Sequence, residues 1–355
     1  MKNFDHPQVK PYLITKTLFP ENQETPIHFL NGDIVDGKLF YRRNHFSYPH
    51  FTSSFYLLPI DGLVHTPKIF SLQEFYSLPS KTIKVVLECA GDKRELFQPK
   101  VFGEQFGKGA ISQGIWKGVS LRTLLQHTGL IDTAKEIVFE GYDYGERPDS
   151  NQIVNFSRSL PIKKALEPDI LIAYEYNHQP IPFKHGFPLR LIVPGWYAMA
   201  SVKWIKKITV IDKEFKGPFQ VVDYVYYPNK ENDEGKFSVT AANVNSTIQY
   251  PLDRQLLHTG IYEIKGIART GEGMITKVEI SLDGGQTWDT CQLNSPSEKY
   301  SWVHWNYKWE ALKKGEYTIK SKATDSQGNV QPSEPFWNRK GYGYNAFDTI
   351  KVKVE

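Results

Sequence analysis

The spacing of apolar and polar positions changes twice along this chain. Residues 1–50 are polar and proline-spotted with no sustained period, and read as an extended arm that lies across a domain rather than as part of a core. At SLQEFYSL (71–78) the spacing becomes helical, and Ser71 with Glu74 forms a capping-box pattern that satisfies two orphan N–H groups of the first turn. KTIKVVLE (81–88) is β-branched and apolar, the signature of a buried strand. It closes at CAGDKR, where Gly91 permits a sharp turn. SLRTLLQHTG (120–129) predicts a second short helix, with Ser120 as cap, Leu121, Leu124 and Leu125 on one face, and Gly129 as the stop. From 170 to 211, strand-like runs (ILIAYEY, LRLIVPG, VKWIKKITVI) alternate with turns. Helices and strands mix without a regular βαβ rhythm, which points to an α+β fold.

Residues 228–237, PNKENDEGKF, are apolar-poor in the manner of a domain linker. Beyond about 240 the texture changes again. KVEISLDGGQTW places Val278, Ile280 and Leu282 on one face and then turns at Asp283-Gly284-Gly285, and GEYTIKSKATDSQGN repeats the pattern with Tyr317, Ile319 and Ala323. Short alternating strands joined by glycine turns predict an immunoglobulin-like β-sandwich of about 110 residues. The expected organisation is an arm over 1–37, a mixed domain over 38–227 and a sandwich over 240–355.

Composition narrows the functional classes. The chain has 355 residues, of which 40% are hydrophobic and 23% charged, enough for two cores and too apolar for disorder. The formal charge of +4 is too small for a nucleic-acid surface and fits at most a local anion pocket. No run approaches the roughly 20 apolar residues of a membrane span. The N-terminal stretch lacks the apolar core of a secretory signal, so the chain as it stands reads as cytoplasmic. Only Cys89 and Cys291 occur, and their spacing leaves a lone disulfide open. No CxxC, CxxCH, HExxH, GxSxG or P-loop pattern occurs.

Cys89 is the candidate of most interest. At the end of an apolar strand it reads first as a small buried hydrophobe. Lys93 and Arg94 nearby supply positive charge that favours the thiolate, the form that binds metals. On the residues alone, a two-domain binding protein remains an open alternative.

Several segments carry a family resemblance. ECAGDKR (88–94), GAISQGIWKGVSLRTLL (109–125), FEGYD (139–143), AYEYNHQPIPFKHGFPLRLIVPG (173–195) and SVKWIKKI (201–208) resemble, in the same order, the sulfite oxidase family's cofactor domain. SLDGGQTW (281–288), DSQGNVQP (325–332) and WNRKGYGYNAF (337–347) are similar to its dimerisation domain. The resemblance implies a molybdopterin cofactor whose molybdenum is ligated by the thiolate of Cys89. It implies cofactor contacts from Tyr41, Arg43, Asn44 and His45 in the FYRRNH arm, and from Asp143, His185, Arg190, Ser201, Val202 and Lys203. On the substrate side it implies Arg94, Arg43, Tyr224 and a cation at position 340.

The implied reaction is oxidation of sulfite to sulfate by oxygen-atom transfer in a homodimer, with electrons passed to a separate acceptor such as a cytochrome. The chain departs from the family's pattern at four places. Lys340 stands where an arginine is usual, Asp92-Lys93 replaces Asn-Arg, and Phe106 occupies a position that is often tryptophan. Lysine keeps the charge and loses the planar fork that grips an oxyanion, and a carboxylate at 92 would repel a dianion if it pointed inward. These departures keep a second reading open, a molybdenum reductase of S-oxides or N-oxides.

Overall fold

The computed structural model describes residues 12–355. The first eleven residues of the expected arm, and most of the stretch read as lacking a signal, lie outside the described residues.

The N-terminal part is built on two five-stranded sheets. One is antiparallel and runs Gln179–Pro180, Leu171–Tyr176, Ile111–Ser120, Ser80–Glu88, with Arg190–Ile192 also paired to Leu171–Tyr176. The other runs Lys68–Ser71, Leu57–Gly62, Ile205–Ile211, Glu136–Glu146, Ile153–Pro161, and its Leu57–Gly62 to Ile205–Ile211 pairing is parallel. The 81–88 run is a strand with Val85 and Leu87 fully buried. Ser71 makes the reciprocal capping box with Glu74. The Leu121–Thr128 helix buries Leu121, Leu124 and Leu125 and ends at Gly129 with φ 67°. Ser120 stands at its N-cap, but the side chain makes no capping hydrogen bond. The helix is held by its apolar face rather than by the cap.

The C-terminal part is a sandwich of a four-stranded sheet (Asn245–Tyr250, Gly260–Arg269, Val303–Ala311, Gln292–Leu293) and a five-stranded sheet containing Ile275–Ser281, Gly315–Asp325 and Asp348–Val354. Its core holds Val278, Ile280, Ile319 and Ala323, with Leu282 and Tyr317 packed at the margin. Cys291 is buried in this core, and both cysteines are free, which closes the disulfide alternative.

The arm differs from its expectation. Leu30 and Val35 enter one apolar cluster, Phe40 and Tyr41 another, and Glu21, Asn22, Gln23 and Glu24 are all buried. Its polar side chains are inside because they bond one another: Arg42 pairs with Glu21 and Gln23, and the Asn44 N–H donates to Asn22 Oδ1 at 2.7 Å. A polar sequence therefore forms a wall of the site instead of a surface strap.

Candidate active site

Cys89 is the first residue beyond the Ser80–Glu88 strand, and its N–H donates to the Ala110 carbonyl at 2.9 Å. One side of the side chain packs with Phe40, Tyr41, Leu87 and Phe106. The other side faces two cavities. An inner pocket, with about 650 Å³ of atom-free space, is lined by Tyr41, Arg43, Asn44, His45, Cys89, Asp143, Arg190, Ser201, Lys203 and Tyr224, together with Arg42 and Met199. An outer basin, with about 1190 Å³, is lined by Cys89, Arg43, His45, Arg94, Arg147, Tyr224, Lys340 and Tyr342. Cys89, Arg43, His45 and Tyr224 line both, so the thiol sits where the two meet.

The inner pocket holds polar groups left for something else to satisfy. Asp143 Oδ1 and Arg190 Nε are buried with no hydrogen-bond partner among the described residues. Burial pushes the Asp143 carboxyl up and the Lys203 ammonium down, and each is the other's principal compensating charge. Lys203 Nζ donates to the Arg43 carbonyl at 3.2 Å and to Asn44 Oδ1. Ser201 Oγ accepts from the Val193 N–H at 3.0 Å.

The outer basin is lined by charges of both signs, Arg43, Arg94, Arg147 and Lys340 with Glu104, Glu146, Asp149 and Asp223. The Arg94 guanidinium is held over the Tyr342 ring at 4.8 Å while Nε donates to the carbonyls of Lys340 (2.9 Å) and Gly341 (3.2 Å). Glycines flank it closely: a Cβ on Gly91 would come within 2.6 Å of that guanidinium, and one on Gly103, whose φ of +112° itself favours glycine, within 2.9 Å. Arg43 donates to the Asn44 carbonyl. Among the described residues, Arg43, Arg94 and Lys340 have no carboxylate in an ion pair. Of the four acids that line the basin, Asp149 and Asp223 pair with Arg147, Glu104 accepts from Asn22 Nδ2 at 3.2 Å, and Glu146 makes no ion pair among the described residues.

Tyr224 and His45 form the wall between the cavities. Tyr224 Oη is 2.7 Å from His45 Nε2, and its ring stacks on Tyr342 with centroids 5.3 Å apart. Burial holds the Tyr224 phenol well above its usual range and keeps His45, in addition crowded by Arg43, well below the usual imidazole value. Both are therefore neutral near pH 7. Burial also raises the Cys89 thiol, against the pull of Arg43 and Arg94.

Comparison with known proteins gives this arrangement its family. Residues 45–219 match the oxidoreductase molybdopterin binding domain, and residues 236–355 match the Mo-co oxidoreductase dimerisation domain. Mitochondrial sulfite oxidase of Mus musculus is 32% identical over 99% of this chain and 67% of its own length. The chain belongs to the sulfite oxidase family. It is a molybdenum-cofactor oxidoreductase with a dimerisation domain. NADH nitrate reductase 1 of Phaseolus vulgaris, at 30% identity over 94% of the chain and 42% of its own length, is a further relative. The sulfane dehydrogenase SoxCD from Paracoccus pantotrophus superposes with a TM-score of 0.83 at 26% identity, covering 97% of this chain and 87% of that one. No helix among the described residues is long and apolar enough to cross a membrane.

The inner pocket suits the family's cofactor. A pterin offers ring N–H donors to the bare Asp143 oxygen, and its phosphate offers acceptors to the bare Arg190 nitrogen. Two of the expected contacts are not brought to the pocket wall. His185 packs behind it on Phe40, with ring centroids 4.5 Å apart, and its carbonyl accepts from Arg190 Nη1. Val202 turns into the apolar core, where its backbone is used by Leu191 and Ala200.

Three substrate-side expectations also change. Asp92 does not face the basin, because its Oδ1 accepts from the Ala110 N–H at 2.8 Å and Oδ2 lies 3.9 Å from Arg269. Lys93 is fully buried against the sandwich, with Nζ 2.7 Å from Asn245 Oδ1, so Arg43 rather than Lys93 joins Arg94 beside the thiol. Phe106 is fully buried behind Cys89. Arg42, Met199, Arg147 and Tyr342 went unnoticed in the sequence. The doubled arginine of FYRRNH was a cue for Arg42 and the GYG turn beside Lys340 a cue for Tyr342; Arg147 carried none.

Proposed function

We propose that this chain oxidises sulfite to sulfate, with Cys89 as the protein ligand of the metal. The supporting observation is the set of three cations, Arg43, Arg94 and Lys340, that converge on the Cys89 basin without carboxylate partners. Cations beside the thiol that no carboxylate pairs favour a small anion over a neutral oxide, although four carboxylates, Glu104, Glu146, Asp149 and Asp223, share the wider basin. The outward turn of Asp92 removes the repulsion that its charge would otherwise cause.

In this reading Tyr41, Asn44, His45, Asp143, Arg190, Ser201 and Lys203 line the pterin's seat, with Arg43 reaching across to the substrate. When bound, the cofactor supplies a redox metal that transfers an oxygen atom and accepts two electrons. The chain's own residues do the rest. Arg94, pinned over Tyr342, and Lys340 draw the anion to the thiol, while Arg43 holds its inner oxygen. If His45 Nε2 carries the ring proton and donates to Tyr224 Oη, the phenolic hydrogen points into the basin and donates to a substrate oxygen. Fixed donors of this kind stabilise developing charge without reorganisation. Electrons then pass to a separate carrier such as a cytochrome. The arm (1–37), cofactor domain (38–227) and sandwich (240–355) form one subunit of a homodimer.

Steady-state assay of the cofactor-loaded protein tests this. Sulfite-dependent reduction of ferricyanide, lost together with bound molybdenum in Cys89→Ser, is the expected result. Oxide-dependent oxidation of a reduced viologen dye, with no response to sulfite, would replace the proposal with a reductase.

A further inference from the structure

We infer that Arg269, on the C-terminal sandwich, is a positioning residue that clamps the loop bearing Cys89 and sets the direction of its thiol; the inference rests on Cys89 being the metal's ligand.

Arg269 is the last residue of the Gly260–Arg269 strand and is 2% exposed. Its Nε donates to Glu88 Oε2 at 2.7 Å, and Nη2 contacts the other carboxylate oxygen, Oε1. This is one hydrogen bond and one ionic contact to the residue immediately before Cys89. The same Nη2 lies 3.9 Å from Asp92 Oδ2, three residues after it. Asp92 is itself fixed to the loop, because its N–H donates to the Cys89 carbonyl at 2.9 Å. One guanidinium therefore brackets the cysteine on both sides.

The neighbours follow the same pattern. The Gly343 N–H donates to the Ala90 carbonyl at 2.8 Å, Lys93 Nζ reaches the Ser246 carbonyl at 3.2 Å, and Arg94 Nε donates to the Lys340 carbonyl. Glu88, Ala90, Lys93 and Arg94 are thus each bonded to the second domain, and Cys89 lies between them with its Sγ accepting from the Gly91 N–H at 3.4 Å. A hydrogen-bonded ion pair that water cannot reach has one favoured geometry, and a lysine at 269 would keep the charge but lose the Nε–H that bonds Glu88. The sandwich accordingly does more than join subunits: it templates the loop that carries the sulfur. The substitution of Asp92 for the family's usual asparagine then makes sense, since a carboxylate there faces a buried arginine and not the substrate.

Two variants of the full chain test this, Arg269→Lys and the charge-neutral pair Glu88→Gln with Arg269→Gln. In cofactor-free protein, the rate of Cys89 alkylation by iodoacetamide is expected to change at least fivefold. In loaded protein, the molybdenum(V) resonance is expected to move, and kcat to fall roughly tenfold or more while KM stays within about twofold. Parental alkylation rate and resonance in a folded variant would overturn the inference. Loss of folded dimer in both variants would also overturn it, since the pair would then be only structural. Failure of the ligand reading is distinguishable: Cys89→Ser would then keep its molybdenum, whatever the Arg269 variants do.

Discussion

Tyr224 Oη and His45 Nε2 lie 2.7 Å apart although they are separated by 179 residues, and the imidazole that holds the phenol is itself stacked on Phe156 at 5.4 Å. The hydroxyl is thereby aimed by a ring that cannot turn freely.

Tyr224→Phe removes this donor and keeps the aromatic stack on Tyr342. Loss of one fixed donor to developing charge lowers kcat by about a hundredfold, with KM changed less. Stopped-flow and steady-state rates on sulfite check the split; an unchanged kcat would show that the hydroxyl does not reach the substrate.

Of the departures from the family's pattern, Lys340 is the one that lines the outer basin. Lys340→Met removes a charged contact, and KM for sulfite is expected to rise about tenfold to a hundredfold, as loss of a bond to a charged group of ~1.5–3 kcal/mol requires. Lys340→Arg restores a planar fork and should lower KM several-fold. Raised salt should blunt both differences.

Gly91→Ala tests how Arg94 is seated. Gly91 does not lie in the left-handed region, so alanine fits the backbone; the new methyl instead meets the Arg94 guanidinium at 2.6 Å. A flexible end yields more readily than a main chain, so Arg94 moves off Tyr342 while the fold survives. We expect thermal stability within ~1 kcal/mol of the parent and KM raised about tenfold. A large loss of stability with unchanged KM would refute this.

Acid should weaken the seam between the domains. Burial opposes ionisation of Asp348, but Lys108, Lys93 and the Ile248 N–H outweigh it and hold the carboxyl below its usual value. The folded state therefore binds this proton less readily than the unfolded chain. Its stabilisation is complete above pH of about 4 and is lost as pH falls through the lowered folded value. Melting temperature measured from pH 6 down to 3 should fall less steeply in Asp348→Asn than in the parent.

Much of this was legible along the chain. The capping box at Ser71, the buried strand ending at Cys89, the stop at Gly129 and the alternating strands of the sandwich all rest on near neighbours, and near neighbours are what periodicity records. The motif order located the pocket, in that Arg43, Asp143, Arg190 and Lys203, drawn from separate motifs, line one cavity. Composition misjudged the arm: its polar residues are buried by pairing with one another, and pairing across space leaves no period.

The sequence by itself determined which residue types were available, where the strands and turns fall, and that a lone cysteine stands at a strand's end beside basic residues. Tertiary structure decided which way each charge faces. Asp92 and Lys93 turn toward Arg269, Asn245 and Asp348, Arg43 moves in beside the thiol, and His45 meets Tyr224. Charges are invisible to hydrophobic spacing, and their direction follows from partners that folding brings near, within the cofactor domain for Arg43 and His45 and across the two domains for Asp92 and Lys93.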